Sequence, residues 1–447
     1  MKPFYLKITV SAFLSAMPLV AGAAASASDA VEITPALLDR LVAEGLADSP
    51  ALQAAGERTE AAAAAVSAVR TWEDPTASFG LSAYSSRGFS SSEEGNLIYA
   101  VGQKLPLYGR PDLVRKVAAA DASREQLAAS FEAQKLRRDL QVALAAVALS
   151  SREAEIARED LAWLDATLSA VDHRYRVGQA SQVDWLKVQT EHARAADELE
   201  TMEQEREHGE FALNRLLNRD LHAPWPQVAL PPLQPPIHYT SALVDAALVA
   251  EPQLKVLRQD SVSAQASADL TRRQRLPDVS VGLEARQYSG DGGFREGTAT
   301  VSFSVPWLNR GKYDDEWRRD QHRKRASDLA ATDYSLSVRE ELHHHIVGLD
   351  AARRQALLYR DQLIPLTQQT LSSGQNLWEH SLGPFQDILD AHRMLLTDEL
   401  ALARALTDQN TLLAQVAFLT GSRDRAALFA LAGDPPSGAD SHIPDDK

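Results

Sequence analysis

The sequence predicts a mainly α-helical chain that also contributes to a membrane β-barrel: long antiparallel coiled-coil helices plus four β-strands per chain. Three observations carry this. From Pro111 to Arg176 there is no further proline and no glycine, about 66 residues of uninterrupted helix former and roughly 100 Å at 1.5 Å per residue. Segments of nine or ten residues alternate apolar and polar side chains, the period of a strand with two different faces. Both patterns occur twice, about 200 residues apart.

Composition narrows the function classes. The 447 residues are 45% hydrophobic and include no cysteine, which excludes disulfides, thiolate metal sites, a cysteine nucleophile and a lipid-modified N-terminal cysteine. A formal charge of −15 argues against a protein that holds nucleic acid through its phosphates. Lys2 and Lys7, an apolar run from Ile8 to Ala21, and Ala25-Ser26-Ala27 read as a signal peptide over residues 1–27. No later stretch offers ~20 consecutive apolar residues, so no transmembrane helix is expected.

The first repeat is assigned to residues 28–220. It opens with a helix over 35–71, rich in Ala, Glu and Arg and ending before Pro75. A strand follows from Thr76 to Tyr84, in which Ala77, Phe79, Leu81 and Ala83 alternate with small or polar residues. Residues 85–95 form a Ser/Gly/Glu loop, 96–105 a second strand, 111–176 the long helix and 181–217 a shorter one. The helices at 35–70 and 181–217 together match the long helix in length and could lie end to end along it. Leu113, Val117, Ala120, Leu127 and Phe131 mark its seam, with alanines between them that let backbones approach.

Residues 221–237 hold six prolines and read as an extended linker. The second repeat, 238–432, returns Ser49-Pro50-Ala51-Leu52 as Glu251-Pro252-Gln253-Leu254, and Pro75 with Gly80 as Pro277 with Gly282, all at an offset of 202. Pro106 and Arg110 return at 200 as Pro306 and Arg310, and Asp184 at 203 as Asp387. Its strands lie around Val279–Ala285 and Ala299–Val305, separated by a loop at 289–297. Its long helix, Lys312 to Leu382, is interrupted only by Gly348, Pro365 and Gly374. Residues 433–447 are expected to be a disordered tail.

Four membrane strands cannot close a barrel, and an open edge in lipid leaves backbone groups unpaired, so the chain must assemble. Two copies would give eight strands with a filled interior, and three would give twelve with room for a channel.

The segment Gln103-Lys104-Leu105-Pro106-Leu107-Tyr108-Gly109-Arg110 and its counterpart Val305-Pro306-Trp307-Leu308-Asn309-Arg310-Gly311 turn strand into long helix. Arg174 to Asp184, Ser381 to Ala391, and Leu213-Asn214-Arg215-Leu216-Leu217 complete a set of motifs in repeat order. Across nearly the whole mature chain these resemble the TolC-type outer-membrane efflux proteins, and the Pro-Trp-Leu-Asn-Arg-Gly wording is most like the branch serving heavy-metal and cation pumps. The resemblance implies a homotrimer with a twelve-stranded barrel in outer-membrane lipid and a trimeric α-barrel of twelve helices in the periplasm of a Gram-negative cell. It implies a channel of a tripartite efflux system, working with a periplasmic adaptor (membrane fusion) protein and an inner-membrane efflux pump. An exit duct for type I protein secretion would look the same. A structural coiled-coil envelope protein would not need paired amphipathic strands.

The resemblance places Val177, Gly178, Gln179, Ala180 and Ser181, with Leu382, Gly383 and Pro384, at helical hairpin tips that dock the adaptor. Pro384 departs from the family's pattern. Just past the tip, Asp387 and Asp390 lie three residues apart on one helical face. The resemblance puts them at a constricting acidic ring where six carboxylates would attract cations, with Asp184 as first-repeat counterpart and Lys187 replacing the second acid. His343, His344 and His345 point about 100° apart on a helix and cannot chelate one ion. Gly290-Asp291-Gly292-Gly293 joins two strands rather than opening a helix, unlike a phosphate loop. No catalytic motif appears, so no enzyme, cofactor or metal site is expected.

Overall fold

The computed structural model describes residues 30–82, 96–288, 292–380, 382–422 and 425–433. The signal peptide, the loop at 85–95 and the tail from 434 onward lie outside them.

Thr34 starts helix α1 (Pro35–Asp48): its Oγ1 accepts the Leu37 amide at 3.2 Å, and Pro35 supplies a helical φ without needing a partner for an N–H. The single helix expected over 35–71 is two. Ser49 adopts extended backbone (φ −67°, ψ 119°), because a residue before proline avoids the helical region, and α2 (Pro50–Ala68) begins afresh. The second repeat breaks identically at Glu251, between α5 (Ser241–Ala250) and α6 (Pro252–Arg273).

The long helix α3 (Arg110–Arg176) is unbroken over 67 residues, and α4 (Gln182–Leu216) returns beside it. Both α2 and α4 lie along α3, as the matched lengths suggested. In the second repeat α7 (Arg310–Leu358) passes through a π-helical turn, Tyr359–Leu363, into α8 (Ile364–Glu379), and α9 (Phe385–Thr420) returns. Pro365 explains the turn: it lacks the amide that would bond the Asp361 carbonyl, and the Ile364 amide reaches five residues back to Tyr359 instead. Gly348 does not interrupt α7. A Cβ there would sit 3.0 Å from Leu412 Cδ1, so the glycine permits close approach of α9. A short α10 (Arg425–Ala432), not foreseen from sequence, closes the second repeat.

The four strands, β1 (Thr76–Ser82), β2 (Asn96–Lys104), β3 (Val279–Tyr288) and β4 (Phe294–Phe303), form one antiparallel sheet in that order. Pairing of β2 with β3 joins the repeats, and β1 and β4 are its two edges. Register places Phe79 opposite Tyr99, Val101 opposite Leu283 and Val281 opposite Val301 on one face, with Ser78, Gly80, Gly102, Ser280, Glu284 and Thr300 on the other. No described residue covers the apolar face: Phe79, Leu283 and Val301 are each about two-thirds exposed.

Two sequence expectations shift here. The loop at 289–297 is shorter, because Phe294 to Gly297 already pair with β3 across a register shift at Arg286/Gln287. The hairpins are also offset differently from the proline landmarks. Thr76 faces Gly102, whereas Ser280 faces Ser302, so if β2 maps onto β4 at 200, β1 maps onto β3 at 204 rather than 202.

Two related cores flank the middle of the helices. One gathers Leu38, Leu41, Leu140, Leu144, Leu213 and Val228, and the other gathers Leu243, Leu342, Leu413, Val416 and Leu428. The linker is extended, as expected, but tightly held. Val31 bridges Val228, and buried Asn214 donates to the Leu221 and Ala223 carbonyls and accepts from Trp225 Nε1. Gln409 exchanges two hydrogen bonds with the backbone of Gln234. No described helix is long and apolar enough to cross a membrane.

Candidate functional site: the hairpin tips

At the end of the helices remote from the sheet, each repeat makes a tight reversal. In the first, α3 ends at Val177 and Gly178 takes φ 77°, a conformation open to glycine at no steric cost. Ser181 caps α4: its Oγ accepts the Asp184 amide at 3.1 Å and donates to Asp184 Oδ2 at 2.7 Å. In the second, the Leu382 amide returns to the Leu377 carbonyl at 2.8 Å, and Pro384, in extended backbone, precedes α9. Gly383 lies close against Leu377, where a Cβ would come within 3.0 Å. Val177 and Leu382 both project into solvent, 55% and 76% exposed. Gln179 is exposed and Ala180 half-buried.

The two tips are fastened to each other. Leu164, Val171, Val188, Leu371, Phe385 and Leu389 form one core shared by all four helices. Arg174 donates to the Trp378 and Glu379 carbonyls, both at 2.9 Å, and its guanidinium lies 4.1 Å over the Trp378 ring. These carbonyls end α8, so the cation also meets the negative end of that helix.

The acidic residues fare differently from one another. Asp387 is exposed and makes no side-chain hydrogen bond or ion pair among the described residues. Asp390 is held by Gln386 Nε2 at 2.9 Å and by Arg393 at 3.1 Å, and Arg393 also reaches Glu191 at 2.7 Å. Lys187 donates to Gln386, completing a chain of polar contacts from α4 to α9. The Glu191 carboxylate raises the Arg393 pKa further, so the arginine stays charged. Asp390 therefore carries a partly neutralised charge and Asp387 an open one, while Asp184 is engaged in its helix cap. Sequence reasoning missed Arg393 and Glu191. The i, i+3 spacing of Asp390 and Arg393 was the readable signal; the Glu191 contact crosses between helices and left none.

The three histidines diverge as helical geometry requires. His343 meets the Tyr239 ring edge-on at 5.3 Å, His345 Nε2 lies 3.4 Å from Glu341, and no group of metal-ligating side chains occurs among the described residues.

An uncovered four-stranded sheet at one end, a fastened pair of helical hairpins at the other and paired long helices between them define a channel of the outer-membrane factor type. The sequence model of the outer membrane efflux protein family matches residues 41–219 and 243–422, one span in each repeat. The chain belongs to that family: it is an outer-membrane efflux channel that extends into the periplasm. No curated protein sequence matches the chain. Among solved structures, VceC of Vibrio cholerae superposes with a TM-score of 0.72 at 18% identity, covering 86% of this chain and 96% of that one. CmeC of Campylobacter jejuni gives 0.75 at 13% identity, covering 88% and 89%. CusC gives 0.74 at 14%, covering 86% and 91%.

Proposed function

We propose that three copies close into a twelve-stranded barrel continued by twelve helices, and that this duct passes substrate from a periplasmic adaptor and an inner-membrane pump to the outside. The observation that carries the reading is the sheet: two free edges and an uncovered apolar face need both neighbours and lipid. Exposed Val177 and Leu382, each beside a glycine at a tip, suit apolar contact with an adaptor. Around a threefold axis, Asp387 would supply three open carboxylates at the entrance, with Asp390 and Asp184 behind them. Such a ring attracts cations and, through like-charge repulsion, favours widening.

The test is single-channel current in planar bilayers, with cation/anion permeability and block by a trivalent cation on the periplasmic side. Replacing Asp387 and Asp390 together with Asn should lower cation preference and relieve the block. Asp387→Asn alone should account for most of the change, because Asp390 already faces Arg393. Unchanged selectivity and block would make both aspartates ordinary surface charges, since exposed charges are screened within about 8 Å at physiological salt.

A further inference from the structure

At the junction of sheet and helices, the first repeat is locked onto the second by one arginine. Arg110, the first residue of α3, has a largely buried side chain that ion-pairs with Asp278 and donates to the carbonyls of Leu276 at 2.6 Å and Arg273 at 3.2 Å. It thereby caps the end of α6 and fixes the start of β3. Next to it, Leu107 and Tyr108 line a crevice with Val69, Leu270 and Gln274.

The second repeat carries the same parts with nothing to hold. Arg310 opens α7 at the position of Arg110, yet it is exposed and pairs with no carboxylate among the described residues. Trp307 and Leu308, at the positions of Leu107 and Tyr108, are 49% and 79% exposed. The acceptor also exists twice. The offset of 204 between β1 and β3 aligns Asp74 with Asp278, and Asp74 is likewise exposed, with no side-chain partner among the described residues. Trp72, two residues before it, is 55% exposed. These unpaired groups stand at opposite edges of the sheet: Trp72 and Asp74 precede edge strand β1, and Trp307 to Arg310 follow edge strand β4. One chain cannot bring them together. A second copy, displaced as the second repeat is from the first, can.

We infer that Arg310 of one copy clasps Asp74 of the next, with Trp307 and Leu308 packed against that copy's Trp72, reproducing between chains the clasp that Arg110 and Asp278 make within one. The inference rests on the ring assembly proposed above and names the residues that join it. Three such clasps, alternating with three internal ones, hold the junction of barrel and helices at six points.

The chain's lack of cysteine gives a background-free test. Full-length Asp74→Cys/Arg310→Cys protein, treated in outer membranes with a short bis-maleimide, should yield covalent ladders of two and three chains. The control pair Arg110→Cys/Asp278→Cys should cross-link within single chains. In parallel, Arg310→Asp should lower the fraction of trimer surviving mild detergent by roughly tenfold, and adding Asp74→Arg should restore it. A trimeric mass without the 74–310 ladder, or a double charge reversal no better than the single, overturns the clasp and leaves the duct reading standing. A monomeric wild-type mass overturns both.

Discussion

Single residues do much of the joining in this chain, and several are buried polar groups with defined partners. Glu251 is 1% exposed and caps α6, accepting the Leu254 amide and the Tyr334 hydroxyl. Burial pushes its carboxyl above the usual carboxylate range, partly opposed by those hydrogen bonds. A carboxyl raised in the folded state favours folding below the unfolded carboxylate pKa, and that contribution is lost as pH rises through the raised value. Denaturation measured across that range should therefore show Glu251→Gln gaining stability relative to wild type as pH increases. Glu251→Ala should cost about 1 kcal/mol through the lost cap. A constant difference between wild type and the Gln variant at every pH would contradict the account. At this scale the sequence was only partly informative. Asp387 and Asp390 stand out by their spacing and setting, and the partners that make their pairing unequal, Gln386 and Arg393, lie on the same helix at i−4 and i+3 from Asp390. What the sequence does not show is that Lys187 and Glu191 reach those two partners from α4. Asn214 lies in Leu213-Asn214-Arg215-Leu216-Leu217, yet its role as anchor of the proline-rich linker appears only when Trp225, Leu221 and Ala223 come round to meet it.

Among the elements, period and punctuation told most of the story. The absence of proline and glycine gave α3 to within a residue or two, because a long helix needs only the lack of breakers and a seam to bury. The two proline breaks at Ser49 and Glu251 were present in the sequence, and the restriction that proline places on the preceding residue should have split the first helix. The strand offset of 204 was not legible, since it depends on which residues face each other across a hairpin. The π-turn at Tyr359–Leu363 marks the one departure from regular helix within the long helical runs of the described residues, and Pro365 supplies its cause. Pro365→Ala offers the Asp361 carbonyl a donor and removes the reason for the wider turn. Amide hydrogen exchange over residues 359–366 should then slow by roughly tenfold. Exchange unchanged from wild type would show that neighbouring helices, not the proline, impose the turn.

At the scale of the whole molecule, the proposed conduit is one duplicated unit that repeats its own internal contacts between copies. The sheet has an apolar face that no described residue covers and an opposite face mostly of serine, threonine, glycine and charged residues, with Ile98 and Ala100 among them, as suits a barrel between lipid and a wet lumen. The long helices run from that sheet to tips on the far side, so the membrane orientation is fixed by which end holds the strands. Ser82 and Asn96, and likewise Tyr288 and Phe294, end their strands away from the helices, so tags placed between them should face the medium, whereas Gly178 should lie deep in the periplasm. The most direct measurement is antibody labelling of short epitope tags placed in the 85–95 loop and, separately, at Gly178. On intact cells the loop tag should be labelled and the Gly178 tag should not, the latter appearing only once the outer membrane is breached. A loop tag that stays hidden until breaching, or a Gly178 tag exposed on intact cells, would contradict a duct that spans the outer membrane and reaches inward.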